Sequence, residues 1–177
     1  MAFRISLLLA AAATLDAPCH QVTVQTPIGP ADGQRLTADV VVVPVLRAGL
    51  GMLEAVLTLI PTARVGHIGL QRDELTAVAS QYYSKLPASL DSSFVLMIDP
   101  MLATGGSAVA ALDVLRHAGA RNVRVICIVA APEGIALVER QHPDVHIYTP
   151  VVDQGLNAHK FIVPGLGDFG DRLYGTV

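Results

Sequence analysis

Apolar residues along this chain fall into short uninterrupted runs that alternate with stretches of helical period. Val40-Val-Val-Val-Pro44 and Phe94-Val-Leu-Met-Ile98 are apolar at every position, as expected of strands covered on both faces. Residues 64–70, 123–129 and 145–148 read as further strands, and Val22 to Gln25 as one more, followed by a turn-rich connection over 27–33. Leu53, Val56, Leu57 and Ile60 recur at helical spacing until Pro61 closes the segment. Ala108, Leu112 and Leu115 do the same in a helix over 106–118, with Gly119 as its left-handed stop. Pro132-Glu133 opens a third helix that Pro143 terminates. Gln71 to Pro87 carries charge and Tyr82-Tyr83 without helical period, and reads as a protruding hairpin or flap. Strands alternating with helices at this interval predict an α/β fold, a mostly parallel central sheet flanked by helices, with ligands at the carboxyl ends of its strands.

Composition narrows the picture. At 177 residues the chain predicts one domain, and no linker, repeat or charge block divides it. A hydrophobic fraction of 52% is high, yet no apolar run reaches the length of a membrane span, so extra surface is expected to be buried against another subunit. A net charge of −3 argues against a nucleic-acid partner. Cys127 falls in the apolar run 123–129 and reads as core; two cysteines make neither a disulfide framework nor a zinc site. His142 and His146 are four apart, but Pro143 breaks the helix that would align them, and no metal site is expected. Met1 to Arg4 followed by the apolar run Ile5 to Thr14 has the outline of a short secretion signal with Ala11-Ala12-Ala13 at its cleavage point, and equally that of a buried helix. One arginine is a thin charged region and Asp16-Ala17-Pro18-Cys19 does not suit lipoprotein processing, so a cytoplasmic protein is the expectation.

The chemistry concentrates in Asp99-Pro-Met-Leu-Ala-Thr-Gly-Gly-Ser107, a small-residue turn between a buried strand and a helix. There the backbone N–H groups of Thr104, Gly105, Gly106 and Ser107 would point together at the positive end of the helix dipole and could cradle a phosphate. Charge-assisted bonds of about 1.5–3 kcal/mol each would hold a phosphate monoester without a lysine. Alternatively Thr104 or Ser107 merely caps the helix and Asp99 accepts a backbone bond. Asp99-Pro100 favours the ligand reading, since it puts a carboxylate where ribose hydroxyls could donate to it. Arg47, in the glycine-rich turn after Pro44, is a candidate clamp for a diphosphate, with Gly49 and Gly51 allowing close backbone approach. Arg72, opening the flap, could supply a second guanidinium. The tail Ile162-Val-Pro-Gly-Leu-Gly-Asp-Phe-Gly170 exposes backbone groups able to read a flat base, or simply packs the C-terminus onto the core.

Val43 to Met52, Asp99 to Ser107, Ala130 to Gly134, Asp153-Gln-Gly-Leu-Asn157 and Val163 to Asp168, in this order, resemble the uracil phosphoribosyltransferase family. The resemblance runs from about residue 40 to the end. It implies a type I phosphoribosyltransferase fold with a flap over about 71–87 and a small hood over about 150–177. The implied reaction joins uracil and phosphoribosyl diphosphate to give UMP and diphosphate, with Mg²⁺ carried on the substrate. It also implies a homodimer or higher homo-oligomer, and GTP as a candidate activator. By resemblance, Asp99 holds the ribose hydroxyls, Ala103 to Ser107 the 5′-phosphate, and Pro100, Met101 and Leu102 continue the phosphoribosyl diphosphate site. Arg47 and Arg72 meet the diphosphate, and Asp168 sits beside it and its Mg²⁺. Ile162, Gly167 and Phe169 present backbone groups to uracil, with Asp168 nearby. Two departures stand out: Ala11-Ala12-Ala13-Thr14 replaces a Tyr-Glu-Ala-Thr stretch, and Leu75 and Ala79 replace an acid and a proline in the flap. They motivate the alternative of a nucleotide sensor without turnover.

Overall fold

The computed structural model describes residues 1–72 and 79–176. Helix α1 (Ala2–Thr14) leads into a hairpin of β1 (Cys19–Gln25) and β2 (Pro30–Leu36). There follow β3 (Val40–Leu46), α2 (Leu50–Leu59), β4 (Arg64–Val65), β5 (His67–Arg72), β6 (Ala79–Lys85), a 3-10 turn at Leu90–Ser92 and β7 (Phe94–Ile98). The chain continues through β8 (Met101–Leu102), α3 (Gly106–His117), β9 (Asn122–Ile126), β10 (Val129–Ala130), α4 (Pro132–Gln141) and β11 (His146–Tyr148). It ends with β12 (Gly155–Leu156), β13 (Ile162–Val163) and α5 (Phe169–Tyr174).

The main sheet has the order β11-β9-β7-β3-β5-β6, with β4 beside β3. Its pairs are parallel apart from β5 and β6. In register, Val40 faces Phe94 and Pro44 faces Ile98, while Phe94 faces Asn122 and Ile98 faces Ile126. Alternation then sorts the side chains. Val41, Val43, Val95, Met97, Val123 and Val125 meet Ala108, Ala111, Leu112 and Leu115 of α3 and Val138 of α4. Val40, Val42, Phe94, Leu96, Ile98 and Ile126 meet Leu9, Ala10 and Ala13 of α1 and Met52 and Val56 of α2 on the other face. Both faces are dry, which is why the strands read as continuous apolar runs. The predicted parallel sheet with helices on both sides is the one observed.

The apolar start of the chain is a core helix: Leu9, Ala10 and Ala13 of α1 lie within the second cluster. No described helix is long and apolar enough to cross a membrane. Other expectations change in detail. The strand expected over 123–129 stops at Ile126: the Cys127 N–H makes the last rung to Tyr148 O of β11 at 3.0 Å, and beyond it the Ile128 and Val129 N–H groups both turn to Pro100 O. The resumed β10 pairs with β8 instead. Cys127 is buried as expected, though in this break rather than in a strand. Residues 64–70 split at Gly66, whose N–H bonds to Val42 O. The connection over 27–33 contains most of β2, which pairs residue for residue with β1 and is almost wholly exposed. Thr26 closes its turn, its hydroxyl contacting Ile28 N, Gly29 N and Gly29 O. No apolar alternation marked β2, since along most of this hairpin both faces are solvated and only Leu36 at its end packs against the core.

The flap region begins and ends as the antiparallel pair β5–β6, with a register shift at Gly69 and Leu70. The Tyr82 ring lies over Gly69, where a Cβ would come within 2.5 Å of it. Asp73, Glu74 and Leu75 lie outside the described residues, as does the Arg72 side chain; the Arg72 backbone ends β5.

Arg124 is a charge on an otherwise apolar face. It is 7% exposed and sits at the end of α1. Its Nη1 donates to Ala13 O at 2.7 Å and Tyr148 Oη at 3.0 Å, its Nη2 to Asp16 Oδ2 at 3.0 Å, and its guanidinium stacks 4.6 Å from the Phe94 ring centre. One buried cation thus satisfies a helix-terminal carbonyl and fastens α1 to the sheet. Arg124→Met should lower stability by about 2–4 kcal/mol, read as a drop in Tm, by leaving the Ala13 carbonyl and the Tyr148 hydroxyl without their donor. The Arg124 hydrogen bond also holds the Asp16 carboxyl below its usual 3.8. The ionised form is therefore favoured by folding, and its contribution is complete above the unfolded value and fades as pH falls through the lower folded one. Asp16→Asn should be less stable than the native chain at neutral pH, with the gap closing in urea melts as pH drops below about 4.

Candidate active site

The β3–β7 ladder dictates what meets at the carboxyl edge of the sheet. Asp99 follows Ile98 directly and Arg47 lies three residues beyond Pro44, the partner of Ile98. The turn after β3 presses against β7 at Gly49, where a Cβ would lie 2.5 Å from Ile98 O and 2.7 Å from the Val45 backbone. Only glycine permits that approach. At Gly51 a Cβ would meet Leu173 and Phe169, so the second glycine of the motif seats α5 on α2. Arg47 is then led to α5. Its Nη2 lies 3.4 Å from Asp171 Oδ1 and 3.4 Å from Thr176 Oγ1, and its guanidinium is 5.7 Å from the Tyr174 ring centre. The Tyr174 hydroxyl donates to Arg47 O at 3.3 Å. The Arg47–Asp171 pair is largely exposed and so contributes little to stability, leaving the guanidinium exchangeable.

The turn after β7 opens α3 with a glycine at the N-cap position, which offers no capping side chain. Gly105 occupies the N-cap at φ 83°, where a Cβ would strike Gly134 O and Leu137. The Gly106 N–H points to Thr104 Oγ1 at 3.4 Å. Gly134 is needed in turn: a Cβ there would lie 2.5 Å from Ala103 O. The first turn of α4 is thereby packed against the turn over 102–105. Behind Asp99, burial pushes the Cys127 thiol up to about 12, with the Asp99 charge acting in the same direction, so it stays protonated.

The hood is a second scaffold. Glu133 Oε1 accepts the Leu156 N–H at 3.1 Å and Asp153 Oδ2 accepts the Gly165 N–H at 2.9 Å. Asn157 Oδ1 takes the N–H groups of His159 and Phe161. Asp168 caps α5 by accepting the Asp171 N–H at 2.9 Å. Gly165 and Gly167 hold positive φ, 55° and 74°.

Between sheet edge and hood lies a cleft of about 640 Å³. Of the residues singled out from the sequence, Arg47, Asp99, Met101, Ala103, Ser107, Ile162, Gly167 and Asp168 line it. Thr104 and Gly106 are half-buried in the turn between them, and Gly105 is buried beneath. Pro100 is buried, Leu102 belongs to the core and Phe169 packs under α2, so their side chains support the cleft wall rather than form it. The cleft is also lined by Asp171, His159, Lys160 and Phe161, which sequence reading passed over. Asp171 stood three residues after Asp168 in the same tail, and its pairing with Arg47, 124 positions away, is set only by the fold.

Comparison with known proteins agrees with this geometry. The uracil phosphoribosyltransferase family model matches residues 1–176. Uracil phosphoribosyltransferase of Dictyoglomus turgidum is 51% identical over 97% of this chain and 84% of its own length. That of Symbiobacterium thermophilum is 51% identical over 97% and 83%. The solved AQ2163 protein of Aquifex aeolicus superposes with a TM-score of 0.91 at 40% identity, covering 96% of this chain and 81% of its own. A hypoxanthine phosphoribosyltransferase of Staphylococcus aureus shares the fold, with a TM-score of 0.56 at 16% identity over 85% and 72% of the two chains. A phosphoribosyltransferase sheet, a glycine-built cleft at its carboxyl edge and half-identical relatives across nearly the whole chain thus meet in one conclusion: the chain belongs to the uracil phosphoribosyltransferase family, pentosyltransferases of pyrimidine salvage.

Proposed function

We propose that the residues of this cleft carry the transfer of a phosphoribosyl group from 5-phospho-α-D-ribose 1-diphosphate to N1 of uracil, in the roles that the family resemblance implies. The observation that supports the reading most is that Arg47, Asp99, Ala103 and Ser107 line one cleft opposite the glycine-built hood around Ile162 and Gly167. Asp99 accepts the ribose hydroxyls. The backbone of residues 103–107, together with the start of α3, takes the 5′-phosphate. Pro100, Met101 and Leu102 form the floor below. Arg47, exchanging Asp171 for the substrate, and Arg72 hold the diphosphate, and Asp168 stands beside it. Mg²⁺ would be carried on the diphosphate and ribose of the substrate, beside Asp168, and would offset charge on the departing diphosphate. Backbone groups of Ile162, Gly167 and Phe169 read the imide edge of uracil. The bond from C1′ to diphosphate breaks as that from C1′ to N1 forms, through an oxocarbenium-like state that depends on position and electrostatics, and the N1 proton leaves to water or to the departing diphosphate. The chain is further proposed to act in the cytoplasm as a homodimer or higher homo-oligomer, with GTP as a candidate activator. The exposure of Leu8, Leu15 and Ile28 supports a further subunit.

Labelled uracil incubated with phosphoribosyl diphosphate and Mg²⁺, with and without GTP, should yield UMP. Asp99→Asn and Arg47→Ala should each lower kcat/KM about 10²–10³-fold while Tm stays near the native value. Full activity in either variant would sink its role, and UMP binding without product would turn the reading to a sensor. Gly49→Ala, which forces a Cβ against Ile98 O, should lower both Tm and activity, the latter at least ~10-fold through misplacement of Arg47 relative to Asp99.

A further inference from the structure

Two described residues other than glycine hold a positive φ, Ser89 at 62° and Lys160 at 65°. Ser89 precedes the 3-10 turn and is not part of the cleft lining, but Lys160 stands on its rim. Left-handed backbone disfavours a side chain with a Cβ, and among non-glycine residues asparagine and aspartate tolerate it best. The loop that carries Lys160 is over-determined. Asn157 Oδ1 accepts from His159 and Phe161, Asn157 O accepts the Lys160 N–H at 3.0 Å, and the Asn157 N–H donates to Phe161 O at 2.9 Å. The conformation is thus imposed by the loop. A glycine would meet it without strain, so the lysine side chain is the part that calls for an explanation.

The charges around the cleft supply one. Three carboxylates, Asp99, Asp168 and Asp171, line it, and Arg47 is engaged by Asp171. The Lys160 residue is exposed and makes no ion pair among the described residues. A diphosphate-bearing substrate approaching this acid-lined cleft, on a chain of net charge −3, meets an unengaged cation at this position. We infer that Lys160 is a substrate-capture residue, its ammonium drawing the anionic phosphoribosyl diphosphate to the mouth of the cleft, with a strained backbone tolerated to keep it there. This rests on the reading of phosphoribosyl diphosphate as substrate.

The test compares the native chain with Lys160→Asn, neutral and suited to the conformation, Lys160→Gly, neutral and unstrained, and Lys160→Arg, which keeps the charge. At low ionic strength the Asn and Gly variants should lose about 3–10-fold in kcat/KM for phosphoribosyl diphosphate, a difference that shrinks as salt is raised, while KM for uracil, a neutral molecule, holds. Arginine should restore the native value. Lys160→Gly should meanwhile raise Tm by roughly 1–4 °C, so that stability and substrate capture move in opposite directions. Asn and Gly variants that match an active native chain at every salt concentration would overturn the capture role and leave the substrate reading standing. A native chain that neither binds nor turns over phosphoribosyl diphosphate would overturn the substrate reading, and the capture role with it.

Discussion

The parallel ladder between β3 and β7 is the constraint on which the remainder of this molecule rests. Five consecutive pairs, from Val40 with Phe94 to Pro44 with Ile98, set the height at which both strands end, and so set where Asp99 and the Arg47 turn emerge. Since side chains alternate, a slip of one residue would carry Val41 and Val43 from the α3 face to the α1 face and move Asp99 relative to Arg47. Helices on both sides forbid that slip, because each face must present its own set of apolar residues to a different partner.

Glycines then decide how tightly the loops close on those strand ends. Gly49, Gly105 and Gly134 each stand where a Cβ would collide with backbone, and each such contact joins two pieces of the site: the Arg47 turn to β7, and the turn over 102–105 to the start of α4. Motifs that read as ligand loops are thus also packing devices. The acids divide similarly. Asp153 and Glu133 spend their carboxylates on hood N–H groups, Asp168 caps α5, and Asp171 reaches across to Arg47. A negatively charged ligand arriving in this cleft meets a scaffold whose polar groups are largely already engaged, which favours preorganised binding over rearrangement.

Much of the core was legible beforehand because a strand buried on both faces must be apolar at every position; 40–44 and 94–98 needed no further context. The same rule failed at β2. A hairpin solvated on both sides for most of its length carries no period for a reader to find, and its pairing with β1 comes from the Thr26 turn, backbone bonding and a Thr23–Asp32 side-chain contact. It also overextended the run 123–129, since burial by itself cannot tell a strand from the break at Cys127, past which the backbone bonds turn to Pro100.

What the chain determined by itself was local: the apolar runs, the helical periods, the proline and glycine stops, and the order of the motifs that resemble one family, all of which depend on near neighbours along the sequence. What only the tertiary structure decided was pairing at a distance. That Arg124 would cap α1 and bind Asp16, that Arg47 would rest on Asp171, and that Lys160 would be held left-handed at the rim of the cleft are outcomes of which elements become adjacent. A side chain's electrostatic partner depends on distances set by the packed sheet and helices, and one-dimensional spacing does not contain them.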